Sequence, residues 1–283
     1  MDLTRRFVFR GNASALAGQI LRPKTIVVDL DGASSLGVSG GRSRAEIEGR
    51  SFGDVIRFRS AMTFAEGVFD DEKAARAVSE QKGRQEDLAT TTTVTSEIRE
   101  LGIGQNPLFT AKRIRGTLVS RKPDQAGPSG EPLIAPARDT TIQGVEIGGR
   151  VLEVKLNTSL FQKYDTRSKL LAAVDDPKFV REYGAHLVLG ATVGGHPRRG
   201  VISRDGVVYT TIVEKIQWKG KPYPGTTIEG HTVKVAEFGT IYFGELLIAS
   251  TERRMTLIRF ELGSPIGGYV DSIDVGSNGS AYP

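Results

Sequence analysis

The chain has no cysteine. That excludes disulfides, a thiolate nucleophile and a thiolate metal site. Histidine is also scarce: His186, His196 and His231 are the only three in 283 residues. None stands at ligand spacing from another, so no metal or other cofactor is expected. There is one tryptophan, Trp218. No apolar run approaches the roughly 20 residues that span a bilayer, so no membrane-crossing helix is expected. Residues 1–10 are broken by charge at Arg5, Arg6 and Arg10 and lack the apolar core of a signal peptide, which makes the cytoplasm the default location.

Charge of one sign is nearly absent as an excess. Lys and Arg number 38 against 33 Asp and Glu, for a net charge of +5 and a pI near 9.4. The surplus is spread along the chain and forms no basic stripe, so a nucleic-acid partner is not expected. The hydrophobic and charged fractions, 39% and 25%, are those of an ordinary folded domain. Glycine is abundant at 34 of 283 residues, against a usual share of roughly 7%, and without a Gly-X-Y period it implies many turns and bulges.

Runs of β-branched and aromatic residues are plentiful, above all between Gly200 and Gly263. Val201–Ile202, Val207–Val213, Thr232–Val235, Thr240–Phe243, Leu246–Ile248 and Met255–Phe260 read as strands separated by turn residues. Earlier in the chain Phe7–Phe9, Thr25–Leu30, Val55–Phe64, Thr90–Ile98 and Phe109–Ser120 also read as strands. Within Val55–Phe64, strict alternation puts Ile56, Phe58, Ser60, Met62 and Phe64 on one face. Val145–Ile147 and Val151–Leu156 flank Gly148-Gly149, a strong hairpin signal. Helices are expected at Glu72–Lys82 and at Ser168–Tyr183, the second broken at Pro177 with Asp176 as cap. Arg42–Gly49 reads as a weak helix at best. The fold class is therefore all-β or β-rich α+β: mainly antiparallel, sandwich-like or barrel-like sheets with two or three short helices. Residues 121–138 hold four of the twelve prolines. They mark either a linker between β-rich regions 1–120 and 139–283 or a long loop in one continuous domain.

Four patterns could carry chemistry. Gly37-Val38-Ser39-Gly40-Gly41 fits the Gly-x-Ser-x-Gly of a serine-hydrolase elbow, with Ser39 as nucleophile, His231 as base and Asp205 as orienting acid. Thr25–Gly32, an apolar strand ending in Asp29-Leu30-Asp31-Gly32, resembles the first motif of haloacid-dehalogenase-type phosphatases. That resemblance covers eight residues and implies Asp29 as nucleophile, Asp31 as acid/base, a magnesium ion near both and a parallel βαβ core. A strand running into an Asp-Gly turn gives the same letters. Gly194–Gly200 contains His196, Arg198 and Arg199 among glycines, a composition suited to an anionic ligand. Trp218 and Tyr223, set among lysines and prolines, could make an aromatic platform for a glycan or a protein partner. Polar residues alternating with apolar ones at Val55–Phe64 and the Thr90–Thr93 run also fit a pore-lining hairpin.

No dense cluster of catalytic residue types stands at working spacing. The first expectation is a non-catalytic protein that acts by binding or self-assembly, with a homo-oligomer or protein partner, since many strands with polar faces leave edges that must be paired or covered. The alternatives are a hydrolase using Asp29/Asp31 or Ser39, and an anion- or glycan-binding module.

Overall fold

A computed structural model describes residues 6–28, 32–71, 88–104, 106–123, 131–174, 176–183, 201–202, 207–249 and 252–282. Among them, every strand pairing is antiparallel, and the strands form two sheets. The first sheet runs β12(Val201–Ile202)-β13(Val208–Thr211)-β17(Gly239–Ile248)-β18(Glu252–Leu262)-β19(Gly267–Tyr282)-β1(Arg6–Arg22)-β2(Ile26–Val28). The hairpin β15(Thr226–Glu229)–β16(Thr232–Val235) joins it at β17, and β3(Ser34–Ser35) joins it at β1. The second runs β14(Val213–Trp218)-β11(Arg150–Leu156)-β10(Val145–Ile147)-β7(Phe109–Lys122)-β6(Thr90–Ile103)-β5(Ile56–Phe69)-β4(Gly41–Phe52), with β8(Leu133–Pro136) and β9(Thr141–Gln143) on β7. Both sheets draw strands from either side of 121–138.

The inner faces follow the period of two that the sequence shows. On β6 and β7, Val94, Ile98, Ile114 and Leu118 are fully buried against Met255, Leu257, Ile273 and Val275 of the first sheet. Ring contacts tie the layers: Phe109 of β7 meets Phe260 of β18 edge-to-face at 4.9 Å. Gly116 sits where side chains of the facing sheet leave no room for another, since a Cβ there would lie 2.7 Å from Ile273 Cγ2 and 3.2 Å from Met255 Cε. Burial of these large side chains, at roughly 1.5–3 kcal/mol each, is the main term that holds the layers together.

Among the described residues, three short helices lie between β11 and β12: α1(Thr158–Lys163), α2(Arg167–Val174) and α3(Pro177–Tyr183). Asn157 caps α1, its Oδ1 accepting from Leu160 N at 3.2 Å. Asp176 caps α3 by accepting from Lys178 N at 2.8 Å, with Pro177 first in the helix, as expected. Arg253, one of the largest fully buried side chains, donates from Nη2 to the Asp165 carbonyl at 2.7 Å and so ties this segment to β18. Burial lowers its pKa to about 10, opposed by the charges of Glu131 and Asp165.

Several expectations are corrected. Arg42–Gly49 is not a weak helix but part of β4, because pairing with β5 outweighs its modest strand propensity. Val207–Val213 is not one strand: it turns at Ile212, leaving β13 in the first sheet and β14 in the second. Thr211 makes that corner, donating from Oγ1 to the carbonyls of Phe243 and Gly244 and accepting from Val213 N. Thr240–Phe243 and Leu246–Ile248 are one strand, β17, whose register against β18 continues through Gly244, where a φ of 60° suits glycine. The helix expected at Glu72–Lys82 lies outside the described residues.

Candidate functional site

The outer face of the second sheet is where charge gathers. Strict alternation would have carried Ser60, Met62 and Phe64 inward with Ile56 and Phe58. Instead Ala61, Thr63 and Ala65 turn inward, and Met62 and Phe64 are only half-buried. The phase changes across three strands in one band. Arg59 and Ser60 on β5, Arg99 and Glu100 on β6, and Lys112 and Arg113 on β7 are consecutive pairs that both reach solvent. Glu100 takes a φ of 52°, a conformation that costs a non-glycine residue on the order of 1 kcal/mol, and pairs with Arg59 at 2.8 Å. Each pair adds one more outward polar side chain than a regular strand would carry.

Glu97 is the centre of this face. Its side chain is only 6% exposed and accepts from three guanidinium groups: Arg99 Nε at 2.6 Å, Arg113 Nη2 at 2.8 Å and Arg115 Nη1 at 3.0 Å. Register explains the convergence. Arg115 stands directly opposite Glu97 on β7, and Arg113 stands opposite Arg99. Arg115 also donates from Nε to Asp139 at 2.8 Å. Burial pushes the Glu97 carboxyl up, but the hydrogen bonds from Arg113, Arg99 and Arg115 outweigh it and hold it at about 2. A carboxylate so held is a poor proton acceptor at neutral pH, so its role is to fix the arginines.

Two open cavities flank the cluster. One, of about 610 Å³, has Ser60, Ala61 and Met62 in its lining, with Arg44, Glu46 and Glu48 of β4 on one side and Glu97, Arg99, Arg113 and Arg115 on the other. The other, of about 500 Å³, is lined by Arg57, Arg59, Glu100 and Lys112 around Phe58 and Leu101. β4 is the outermost strand here. It runs twelve residues, pairs only with β5 among the described strands, and buries none of its side chains fully. On it Arg42 is ion-paired with Glu66, and Arg44 with Glu46.

The first sheet carries a matching cluster. Glu245 accepts from Arg259 Nε at 2.7 Å and Nη2 at 2.8 Å, with His231 Nε2 at 3.7 Å. Burial raises the Glu245 carboxyl, and Arg259 and His231 bring it down to about 2. The Arg259 guanidinium lies 3.7 Å from the centre of the Tyr242 ring. Asp271 nearby is shifted upward, by burial first and by the Asp274 charge second. Among the described residues no group of three potential metal ligands comes together.

The residues singled out in the sequence do not converge. Ser39 is exposed in the two-residue turn Val38-Ser39 between β3 and β4, a strand–turn–strand setting rather than the strand–turn–helix of an elbow. His231 sits by Glu245 on the other sheet, and Asp205 lies outside the described residues. So do Asp29 and Asp31; the strand before them, β2, pairs antiparallel with β1, not in the parallel core that the phosphatase resemblance implies. His196, Arg198 and Arg199 also lie outside the described residues. Trp218 ends β14 opposite Leu152, and Tyr223 covers the Gly148-Gly149 turn; both are half-buried and packed against the core. Sequence reading missed Glu97, Arg99 and Arg44. Its available signal was a glutamate on one strand facing an Arg-x-Arg on the next, visible only once register is known.

Compared with known proteins, the chain matches the family described as a domain of unknown function (DUF8256) over residues 7–187 and 192–249. No curated protein and no solved structure matches it.

Proposed function

The chain belongs to the DUF8256 family, and from that premise we propose that it is a non-catalytic protein that works by self-assembly through a sheet edge. The observation that carries this reading is β4: twelve residues long, paired on one side only among the described strands, with no side chain fully buried. An edge of that length leaves roughly half of its backbone N–H and C=O groups turned away from the sheet, a template for a further strand. The neighbouring chemistry supports the same reading. Glu97 and Glu245 are locked as acceptors by arginines, which suits a rigid charged face better than proton transfer. Native mass spectrometry of the purified chain, from low to high micromolar concentration, tests it. A discrete oligomer without added mass is expected. A monomer at every concentration, or a monomer carrying a bound small molecule, refutes it.

A further inference from the structure

We propose that the partner at β4 is a second copy of this chain, paired antiparallel about a twofold axis at Ala45. This deepens the self-assembly reading and rests on it. The inference comes from the order of charges along the edge. From Arg42 to Glu48, alternate residues are Arg42, Arg44, Glu46 and Glu48, all exposed and on the outer face. Between them lie Ser43, Ala45 and Ile47, each half-buried.

An antiparallel pair centred on Ala45 puts Arg42 opposite Glu48 and Arg44 opposite Glu46, and by symmetry the same two contacts again. Side chains directly opposite in such a pair stand about 5 Å apart at Cβ, within ion-pairing reach. Ala45 then meets Ala45, and Ser43 meets Ile47, so nothing bulky or like-charged blocks the other face. Neighbouring registers lose this match. A twofold at Arg44 sets that guanidinium against its own copy, and one at Glu46 does the same for that carboxylate. A twofold at Ser43 pairs Arg42 with Arg44, and one at Ile47 pairs Glu46 with Glu48. A parallel in-register pair puts every charge against itself. Charges on an edge strand ordinarily prevent pairing. Here their order, two cations followed by two anions, makes the edge repel most strands and complement its own copy. The interface is isologous, and it joins the second sheets of the two copies into one continuous sheet.

Charge reversal tests the register. In the variant Arg42→Glu/Arg44→Glu all four positions become acidic; in Glu46→Arg/Glu48→Arg all four become basic. Sedimentation equilibrium should show each variant weakened at least ~tenfold in self-association. An equimolar mixture of the two should recover a heterodimer. The quadruple variant, which exchanges the signs, should recover the homodimer. All these side chains are exposed, so far-ultraviolet circular dichroism should stay that of the parent. If the parent is an oligomer and the double variants associate equally well, or the mixture stays monomeric, this register is wrong while self-assembly stands. If the parent is monomeric throughout, both readings fail together.

Discussion

Glu97→Gln is the sharpest probe of the charged face. Three guanidinium groups converge on this carboxylate, with side chains 56%, 37% and 22% exposed for Arg99, Arg113 and Arg115. Removing one member of a fully buried ion pair costs about 3–5 kcal/mol. Exposed pairs are worth about 0–1 kcal/mol. The Arg99 contact belongs near the second limit, and those of Arg113 and Arg115 lie between. Glutamine keeps an acceptor in place, so the loss at pH 7 should be about 2–3 kcal/mol. For a chain of this length that is a fall of roughly 4–8 °C in melting temperature. Urea unfolding followed by circular dichroism measures it directly. The pH dependence adds a second check. The folded carboxyl titrates at about 2 and the ordinary value is 4.5, so in acid the unfolded chain takes up a proton first. The stabilisation is complete above about pH 4.5 and is lost as pH falls toward 2. The gap between parent and Glu97→Gln should therefore close over that interval. A difference below about 0.5 kcal/mol at pH 7, or one unchanged at pH 2, refutes the account.

Two further predictions test the packing and the topology. Gly148 and Gly149 both have positive φ, 56° and 74°, but a Cβ at Gly148 would lie 2.1 Å from Tyr223 Cε2, while one at Gly149 meets nothing within 4 Å. Gly149→Ala should cost about 1 kcal/mol and Gly148→Ala at least ~1 kcal/mol more, read from thermal melts; equal costs would mean that the ring contact carries no weight. Both sheets contain strands from either side of 121–138, so a chain nicked there by a protease should elute as one particle on size-exclusion chromatography, and separated fragments would contradict the interleaved sheets.

The strand-rich composition, the glycine-punctuated hairpin at Gly148-Gly149 and the Asp176-Pro177 helix start were legible because each is a local preference. Backbone φ at Gly148-Gly149, ring constraint at Pro177 and β-branched runs such as Val201–Ile202 act over a few residues, and the amino-acid order alone settles them. What the sequence did not disclose depends on neighbours far along the chain. β19 runs through Gly267–Tyr282, rich in glycine and serine, and is a strand because β1 and β18 flank it on both sides. β4 looked weakly helical and is an edge strand because β5 lies beside it. The candidate site is of the same kind. Glu97 and Arg115 are ordinary exposed-strand residues until register sets them opposite each other. The phase change at Ser60, Arg99 and Arg113 is then felt across three strands at once. Local chemistry determined which segments could be strands. Only tertiary pairing decided which side chains meet, because a shift of one residue exchanges the two faces of a strand.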